Sequence, residues 1–483
     1  MSDNRHGNDD VTQSDATLGR DDATLPNSGS GGFTVSRRDF IKSAAVVGAA
    51  AAAGFPFIQA RAASDKTLKF GLLEDRSGNF ALFGAPKYHA TQLAIQEINN
   101  GLTLRSGPTG PGGRGLDHGY YDDTDDILVQ SGDKGILGRK VELIAPDPQS
   151  DNRQFQQLAR RLILQDKVDV LMGGFASSER EALRPIMDQT KQLYFYNNQY
   201  EGGVADEYTF CTGAVAEQQI IPVMEYMIAH FGKRIYILAA DYNFGQLSAM
   251  WTRAMAPVLG ATVIGQEFIP LSVSDFTSTI SRIQEKKPDW LMMYITGQNH
   301  SNYYPQANAS HARFPMGSSI NMAQGYEHLR FAPPALAGMH VAVNYMQEIP
   351  TPRNKAFVER FHKMFPKEPY ISQQTQNAYI ATHLYAIAAR VAGSTDQVAV
   401  RKALESGIGM EAPEGWVFMD PATHHLSHYI RIASADEKQH ISFVQEWPHI
   451  EPWWTRRLGV NLVRTPEYKQ YTPAEDPLFK KYV

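Results

Sequence analysis

Val168-Asp169-Val170-Leu171-Met172-Gly173-Gly174-Phe175-Ala176-Ser177-Ser178 holds a strand, a turn and the start of a helix. Residues 168–173 form a short apolar, β-branched run of strand length, and the paired glycines end it. Residues 178–190 then continue as a helix. The same unit recurs on both sides. Upstream, a strand at 68–73 breaks at Ser77-Gly78 and leads into an amphipathic helix over 85–99, with Ala90, Leu93, Ala94 and Ile98 at helical spacing. A strand at 140–144 and a helix at 151–166 follow, and a strand at 192–196 closes this series. A second series opens with a helix at 216–230. It continues through strands at 234–239, 261–269 and 289–295, with helices at 245–259, 276–285 and 301–309. Strands alternating with helices predict parallel sheets covered on both faces, and two series predict two Rossmann-like α/β lobes. The length of 483 residues agrees, since it exceeds what one hydrophobic core serves.

Two stretches interrupt the alternation. Residues 101–136 form a Gly/Pro-rich insertion ending in Tyr120-Tyr121-Asp122-Asp123-Thr124-Asp125-Asp126. Its aspartates lack the spacing and glycine of an EF-type calcium loop, because Ile127 and Leu128 fall where further ligands should stand, so it reads as a solvated surface insertion. After residue 345 the pattern is helical at 355–365, 377–392 and 396–406, then strand-like at 416–419, 429–433 and 441–445. The tail from 451 is aromatic and punctuated by proline without a period, and reads as an arm packed on the surface.

The N-terminus reads as a leader. Residues 1–35 are polar, and Ser36-Arg37-Arg38-Asp39-Phe40-Ile41-Lys42 precedes an apolar stretch at 43–58 and Ala60-Arg61-Ala62. A basic pair, a short apolar segment and a small-residue end describe a cleaved export signal. The Arg37-Arg38 pair looks like the twin-arginine type, which implies the twin-arginine export machinery as a partner and a periplasmic protein starting near Ala63. No later run reaches the ~18 apolar residues of a membrane span.

Composition excludes several classes. The net charge of −5 with no Lys/Arg cluster in the body of the chain gives no footprint for nucleic acid. One cysteine, Cys211, allows no intramolecular disulfide and no Cys-based zinc site, and reads as a small buried hydrophobe. No P-loop, G-x-G-x-x-G, G-x-S-x-G or H-E-x-x-H is present, so neither a cofactor nor a catalytic apparatus is expected. His424-His425 and His428 follow a hairpin turn at 420–423 and read as structural turn residues rather than metal ligands.

Ligands of open α/β sheets bind at the carboxyl ends of the strands. The loops there are 74–84, 175–178, 197–201, 241–244 and 296–299. They are dense in hydroxyls, amides and rings, including Phe175, Ser177, Asn198, Gln199, Tyr200, Tyr242 and Gln298, and poor in Lys and Arg. Such a set suits a small neutral or zwitterionic polar molecule held by directed hydrogen bonds against ring faces.

From Thr67 to Trp447 the chain resembles type I periplasmic binding proteins of the leucine/isoleucine/valine class, closest to the urea- and short-chain-amide-binding branch. The resemblance rests on Gly173-Gly174-Phe175-Ala176-Ser177-Ser178-Glu179-Arg180-Glu181-Ala182, Tyr200-Glu201-Gly202, Ala240-Asp241-Tyr242-Asn243-Phe244 and Ile269-Pro270-Leu271-Ser272-Val273-Ser274-Asp275-Phe276. Thr351-Pro352-Arg353-Asn354, Ala412-Pro413-Glu414-Gly415 and His424-His425-Leu426-Ser427 extend it in order. The resemblance implies two lobes joined by three crossovers near 213–217, 344–350 and 407–414, with a central cleft. Residues 63–215 and 346–413 would form lobe 1, 216–345 and 414–450 lobe 2, and 451–483 a C-terminal arm. It further implies that Phe175, Ser177, Tyr196, Asn198 and Tyr200 face the ligand from lobe 1, and Tyr242, Tyr294 and Gly297 from lobe 2. Cleft closure would then deliver the solute to an ABC transporter permease. The chain departs from the branch by lacking proline in Tyr196-Asn197-Asn198-Gln199-Tyr200. It departs from the amino-acid binders by lacking an acid in Asn321-Met322-Ala323-Gln324, where Glu327 is nearest. Urea, a short-chain amide and an amino-acid-like compound are the expected ligands, with a branched-chain amino acid or another small organic acid as the alternative. A transport receptor, an exported ligand sensor and an enzyme exported folded with a cofactor are separable by neighbouring permease genes and by absorbance or metal in the purified protein.

Overall fold

Val170-Leu171-Met172-Gly173 forms a strand with every residue buried, as its unbroken apolar run requires. Gly173 turns out of it at a φ of +118°, and a Cβ there would lie 2.2 Å from the Leu73 carbonyl oxygen, so only glycine lets the chain leave the strand here. The computed structural model describes residues 67–107 and 127–482.

The central sheet takes the first lobe's strands β1 (Thr67–Leu73), β2 (Lys140–Ile144), β3 (Val170–Gly173), β4 (Tyr194–Tyr196) and β5 (Thr209–Cys211). The second lobe supplies β6 (Arg234–Ala240), β7 (Thr262–Ile269), β8 (Trp290–Tyr294), β9 (Met316–Ser318) and β10 (Met339–Val343), and β11 (His425–Ala435) joins the halves. Their order is β7-β6-β8-β9-β10-β11-β5-β4-β3-β1-β2. Every pairing in that order is parallel except β10–β11, with Phe70 opposite Val170 in one lobe and Tyr236 opposite Leu291 in the other. The helices that matter below are α1 (Ala81–Asn99), α2 (Ser177–Thr190), α3 (Ala216–Phe231), α4 (Asn243–Val258), α5 (Gln298–Ala309) and α6 (Gln373–Ala392).

Each lobe buries its own core. Leu68, Phe70 and Leu72 pack against α1 and α6 residues such as Ala90, Leu93, Leu384 and Tyr385. In the second lobe Ile235, Ile237 and Ala239 face one layer, with Trp251 and Met255 of α4, while Tyr236 and Leu238 face the other. This alternation is the two-sided burial a parallel sheet demands. Helix α6 is buried almost throughout, from Gln373 to Ala389, so it is a central element rather than an amphipathic cover.

The chain crosses between lobes after β5, after β10 and within β11. Phe418, Met419 and Asp420 pair with Ser427, Leu426 and His425, and Met410, Val417 and Leu426 belong to the first core. Farther along β11, Arg431 to Ser434 pair with β10 of the second lobe. The third crossing therefore lies inside a strand, beyond 407–414. At the flanks of the insertion, Leu102–Leu104 pairs with Leu128–Gln130. Its aspartate-rich 122–126 lies outside the described residues, as do Arg37 and Arg38. The C-terminal arm is more than a surface layer, because Trp454 and Phe479 are buried in the second lobe's core.

Candidate functional site

Helix α2 starts against the cleft because its N-terminus is tied down from within. Glu179 Oε2 accepts the backbone N–H groups of Phe175 and Ala176 at 2.8 and 2.9 Å, satisfying donors that the first turn leaves open. Burial pushes the Glu179 carboxyl well up, with the Asp75 charge adding to it, and Asp75 is also raised by burial. Both shifts favour the protonated, uncharged carboxyl. Nearby, burial raises Glu74 to about 7 against the pull of Lys87, whose Nζ lies 2.8 Å from Glu74 and donates to the Gly174 carbonyl at 2.7 Å.

These contacts hold the turn that presents Phe175 and Ser177. A narrow, nearly closed cleft with about 10 Å³ of free volume lies there, lined by Phe175, Ser177, Asn198 and Gln199 of the first lobe and by Tyr242, Phe244, Thr296, Ile320 and Gln324 of the second. No charged side chain lines it. Gln199 Oε1 and Nε2, Asn198 Oδ1 and Gln324 Oε1 are buried and meet no hydrogen-bond partner among the described residues. Ring faces form one wall: Phe175 stacks on Phe83 at 4.4 Å and tilts toward Phe80 at 4.9 Å, with Tyr242 and Leu271 packed on that cluster from the second lobe. Burial pushes the Tyr242 phenol up, so it remains a neutral donor and acceptor beside Thr296.

Ser177 faces the cleft with its proton committed. Its Oγ donates to Glu201 Oε2 at 2.6 Å, leaving lone pairs for a ligand donor. Glu201 is paired in turn with the fully buried Arg180, whose Nη2 donates at 2.8 Å and whose guanidinium lies over the rings of Tyr196 and Tyr200. Burial opposes that charge, but Glu201 and Glu181 hold the Arg180 pKa well above its usual value.

The other expected residues sit elsewhere. Tyr196 donates to the Phe175 carbonyl at 2.7 Å, so it props the cleft loop from behind. Tyr200 donates to His425 Nε2 at 2.5 Å, and burial drops the His425 pKa to about 3, which keeps that imidazole a neutral acceptor. Tyr294 is fully buried with its hydroxyl 2.7 Å from Thr252. Gly297, at a φ of +60°, caps α5 with a Cβ position 3.9 Å from the Phe80 ring, and Gln298 is exposed. Phe244, Thr296, Ile320 and Gln324 line the cleft without having been singled out. The first two stand in strand-end loops that position alone points to, Gln324 ends the 321–324 run noted for its missing acid, and Ile320 follows β9 with no motif.

Glu327 and the His424, His425 and His428 group are engaged within the fold. Glu327 accepts from the Met322 N–H at 2.6 Å and pairs with His300, which lowers its pKa against full burial. His424 stacks on Phe210 and reaches Glu405, while His428 pairs with Glu414 at 2.7 Å. Among the described residues no cluster of three or more His, Cys, Asp or Glu is placed to hold a metal, and no helix is long and apolar enough to cross a membrane.

Two α/β lobes with a polar, ring-walled cleft at the carboxyl ends of their strands define a solute binder. The chain belongs to the periplasmic binding protein family, which it matches over residues 67–440, and residues 34–54 match the twin-arginine translocation pathway signal. It is thus an exported, periplasmic solute-binding protein. It is 24% identical over 326 residues to Leu/Ile/Val-binding protein homolog 6 of Brucella suis, covering 65% of this chain and 82% of that one. Among solved structures it is similar to a solute binding protein of an ABC transporter from Rhodopseudomonas palustris in complex with 3,4-dihydroxybenzoic acid. The TM-score is 0.65 at 20% identity, covering 80% and 99% of the two chains. The isoleucine complex of a branched-chain amino acid transporter substrate binding protein from Streptococcus pneumoniae aligns with a TM-score of 0.63 at 16% identity, covering 78% and 99%. At these identities the likeness shows the fold alone.

Proposed function

We propose that this protein is the substrate-binding component of an ABC transporter and captures a small uncharged solute of the amide or ureido type between its lobes. The observation that carries the ligand class is the cleft lining, which offers three carboxamides, hydroxyls and ring faces and no charged side chain. A carboxylate or ammonium ion transferred there would lose its hydration without gaining a counter-charge, whereas an amide matches both donors and acceptors. Phe175, Ser177, Asn198, Gln199 and Tyr242 are the contacts of this reading, with Gln324 and Thr296 added.

Thermal melting with matched pairs tests it: propionamide against propionate, benzamide against benzoate, then urea and isoleucine. A ligand at a hundredfold excess over its Kd adds about 2.7 kcal/mol of apparent stability. The amide of a pair should raise Tm and the acid should not; an acid or isoleucine that binds as well as the amide overturns the ligand class. A second reading, a small aromatic acid, draws on the Phe80–Phe83–Phe175 ring cluster and on the benzoate-type complex of the Rhodopseudomonas palustris protein.

A further inference from the structure

The family match ends at residue 440, yet the chain continues through an ordered arm whose contacts reach both lobes. One end is sunk in the second lobe. Trp454 is fully buried, meets Trp251 of α4 edge-on at 4.5 Å, and donates its indole N–H to Asp476 at 2.8 Å, while Phe479 packs on the same Trp251 at 5.6 Å. The Trp454 backbone N–H donates to Glu217, in the first turn of α3 just past the first crossover.

The other end is stitched to the first lobe. Tyr468–Gln470 pairs antiparallel with Val204–Asp206, and the Tyr471 N–H donates to the Gly203 carbonyl at 2.8 Å. At Gly203, φ +89°, a Cβ would lie 2.0 Å from the Tyr471 carbonyl oxygen, so a side chain there would push the arm away. Arg184 of α2 donates to the Lys469 carbonyl at 3.1 Å. Gln470 Nε2 then donates to Glu201 Oε1 at 2.9 Å, on the carboxylate whose other oxygen accepts the hydrogen bond of Ser177 in the cleft.

We propose that the arm is a strap across the hinge and that Gln470 is a positioning residue which, through Glu201, orients Ser177 toward the ligand. Trp251 itself donates its indole N–H to the Glu201 carbonyl at 3.0 Å. The arm is anchored both on this second-lobe face and on the Val204–Asp206 strand, so an opening that parts the two works against the arm. The strap therefore biases the ligand-free protein toward closure and raises affinity by removing part of the closing cost. The orienting role rests on the reading of the cleft as the solute site; the strap does not.

Cysteines introduced at the exposed Leu164 and Leu329, on opposite lobes, and labelled with nitroxides report the interlobe distance. The native Cys211 is buried, and burial pushes its thiol up to about 12, so it stays unlabelled. Two further changes are made in that background: Gln470→Ala, and a stop after Pro466 that removes the paired strand and Phe479. Without ligand, both should add a longer-distance population to the narrow distribution of the parent. Gln470→Ala should also weaken binding of the amide that stabilises the parent, by severalfold, with an unchanged circular dichroism spectrum. Unchanged distances in the shortened chain overturn the strap; if the shortened chain does not fold, Gly203→Ala, whose Cβ would press on the Tyr471 carbonyl and push the arm off the first lobe, decides in its place. Changed distances with unchanged affinity overturn the orienting role. If no amide binds, the proposed ligand class fails while the ligand-free distances still judge the strap.

Discussion

Gln199 and Tyr196 are close in sequence and do opposite work, which separates binding from stability. Both amide atoms of Gln199 are buried with no partner among the described residues, so the side chain costs stability and is retained for another purpose. Gln199→Met keeps the volume and removes the hydrogen-bonding atoms. Guanidinium chloride unfolding should show equal or higher stability, while amide binding measured by calorimetry falls by at least about tenfold, the loss of one or two hydrogen bonds. Tyr196→Phe instead removes the donor to the Phe175 carbonyl and should lower stability by about 1 kcal/mol, leaving the cleft's lining intact. At the hinge, burial raises Glu217 to about 7, with the Trp454 N–H opposing the shift. The folded state then keeps a proton that the unfolded chain, near 4.5, has lost. Its stabilising contribution is full below about pH 4.5 and is lost as pH rises through about 7. Glu217→Gln still accepts the Trp454 N–H through its amide oxygen. Its unfolding free energy should match the parent at pH 4.5 and exceed it by up to about 3 kcal/mol at pH 8; equal pH profiles for the two proteins would sink this assignment.

At the scale of elements, what was legible depended on whether an element is held by its own pattern or by a distant one. The Val170–Gly173 strand was readable because its burial is written in consecutive apolar residues, and α2 begins one residue ahead of the expected 178. Tyrosines at strand ends were not readable. Tyr194 and Tyr196 share a strand face, and their hydroxyls turn back to the Gly173 and Phe175 carbonyls, a choice set by the neighbouring strand. At 321–324 the sequence shows the missing acid, whereas the role of the Gln324 amide as a cleft residue depends on tertiary placement of a non-periodic turn after β9. The arm was misjudged as superficial for a related reason: Trp454 stands in a four-residue helix with no apolar stripe, and its burial comes from Trp251, some 200 positions earlier. The strand-to-helix turn itself yields a test. Gly173→Ala brings a Cβ to 2.2 Å from the Leu73 carbonyl oxygen at a φ that alanine rarely adopts. It should destabilise by at least about 2 kcal/mol in guanidinium chloride unfolding, from backbone displacement plus strain. Because the same turn carries Phe175, amide affinity should fall with it.

At the scale of the molecule, closure needs the three crossings to bend together, and one buried cluster links them. Asn344, at the end of β10, donates to Asn377 of α6 at 2.8 Å and to Glu414, whose other oxygen accepts a hydrogen bond from His428 Nδ1 on β11 at 2.7 Å. Thr212, at the first crossing, donates to the Asn377 carbonyl. All of these side chains are buried, so each hydrogen bond is strengthened by the dry surroundings and each lost partner is costly. The second crossing enters through Asn344, the first through Thr212 and the third through His428, so Asn344 adds a side-chain link among strands that already neighbour one another in the sheet. Asn344→Ala removes the bridge between Glu414 and Asn377 without touching the cleft lining. It should lower stability by about 1–3 kcal/mol, the cost of stranding buried partners. The informative readout is shape. If the cluster makes the crossings act as one hinge, ligand-free Asn344→Ala should give a larger and broader radius of gyration by small-angle scattering, and added amide should restore the parent value at a higher concentration. A variant that is less stable but has the parent's scattering curve with and without amide would mean that the cluster holds the fold together without governing how it closes.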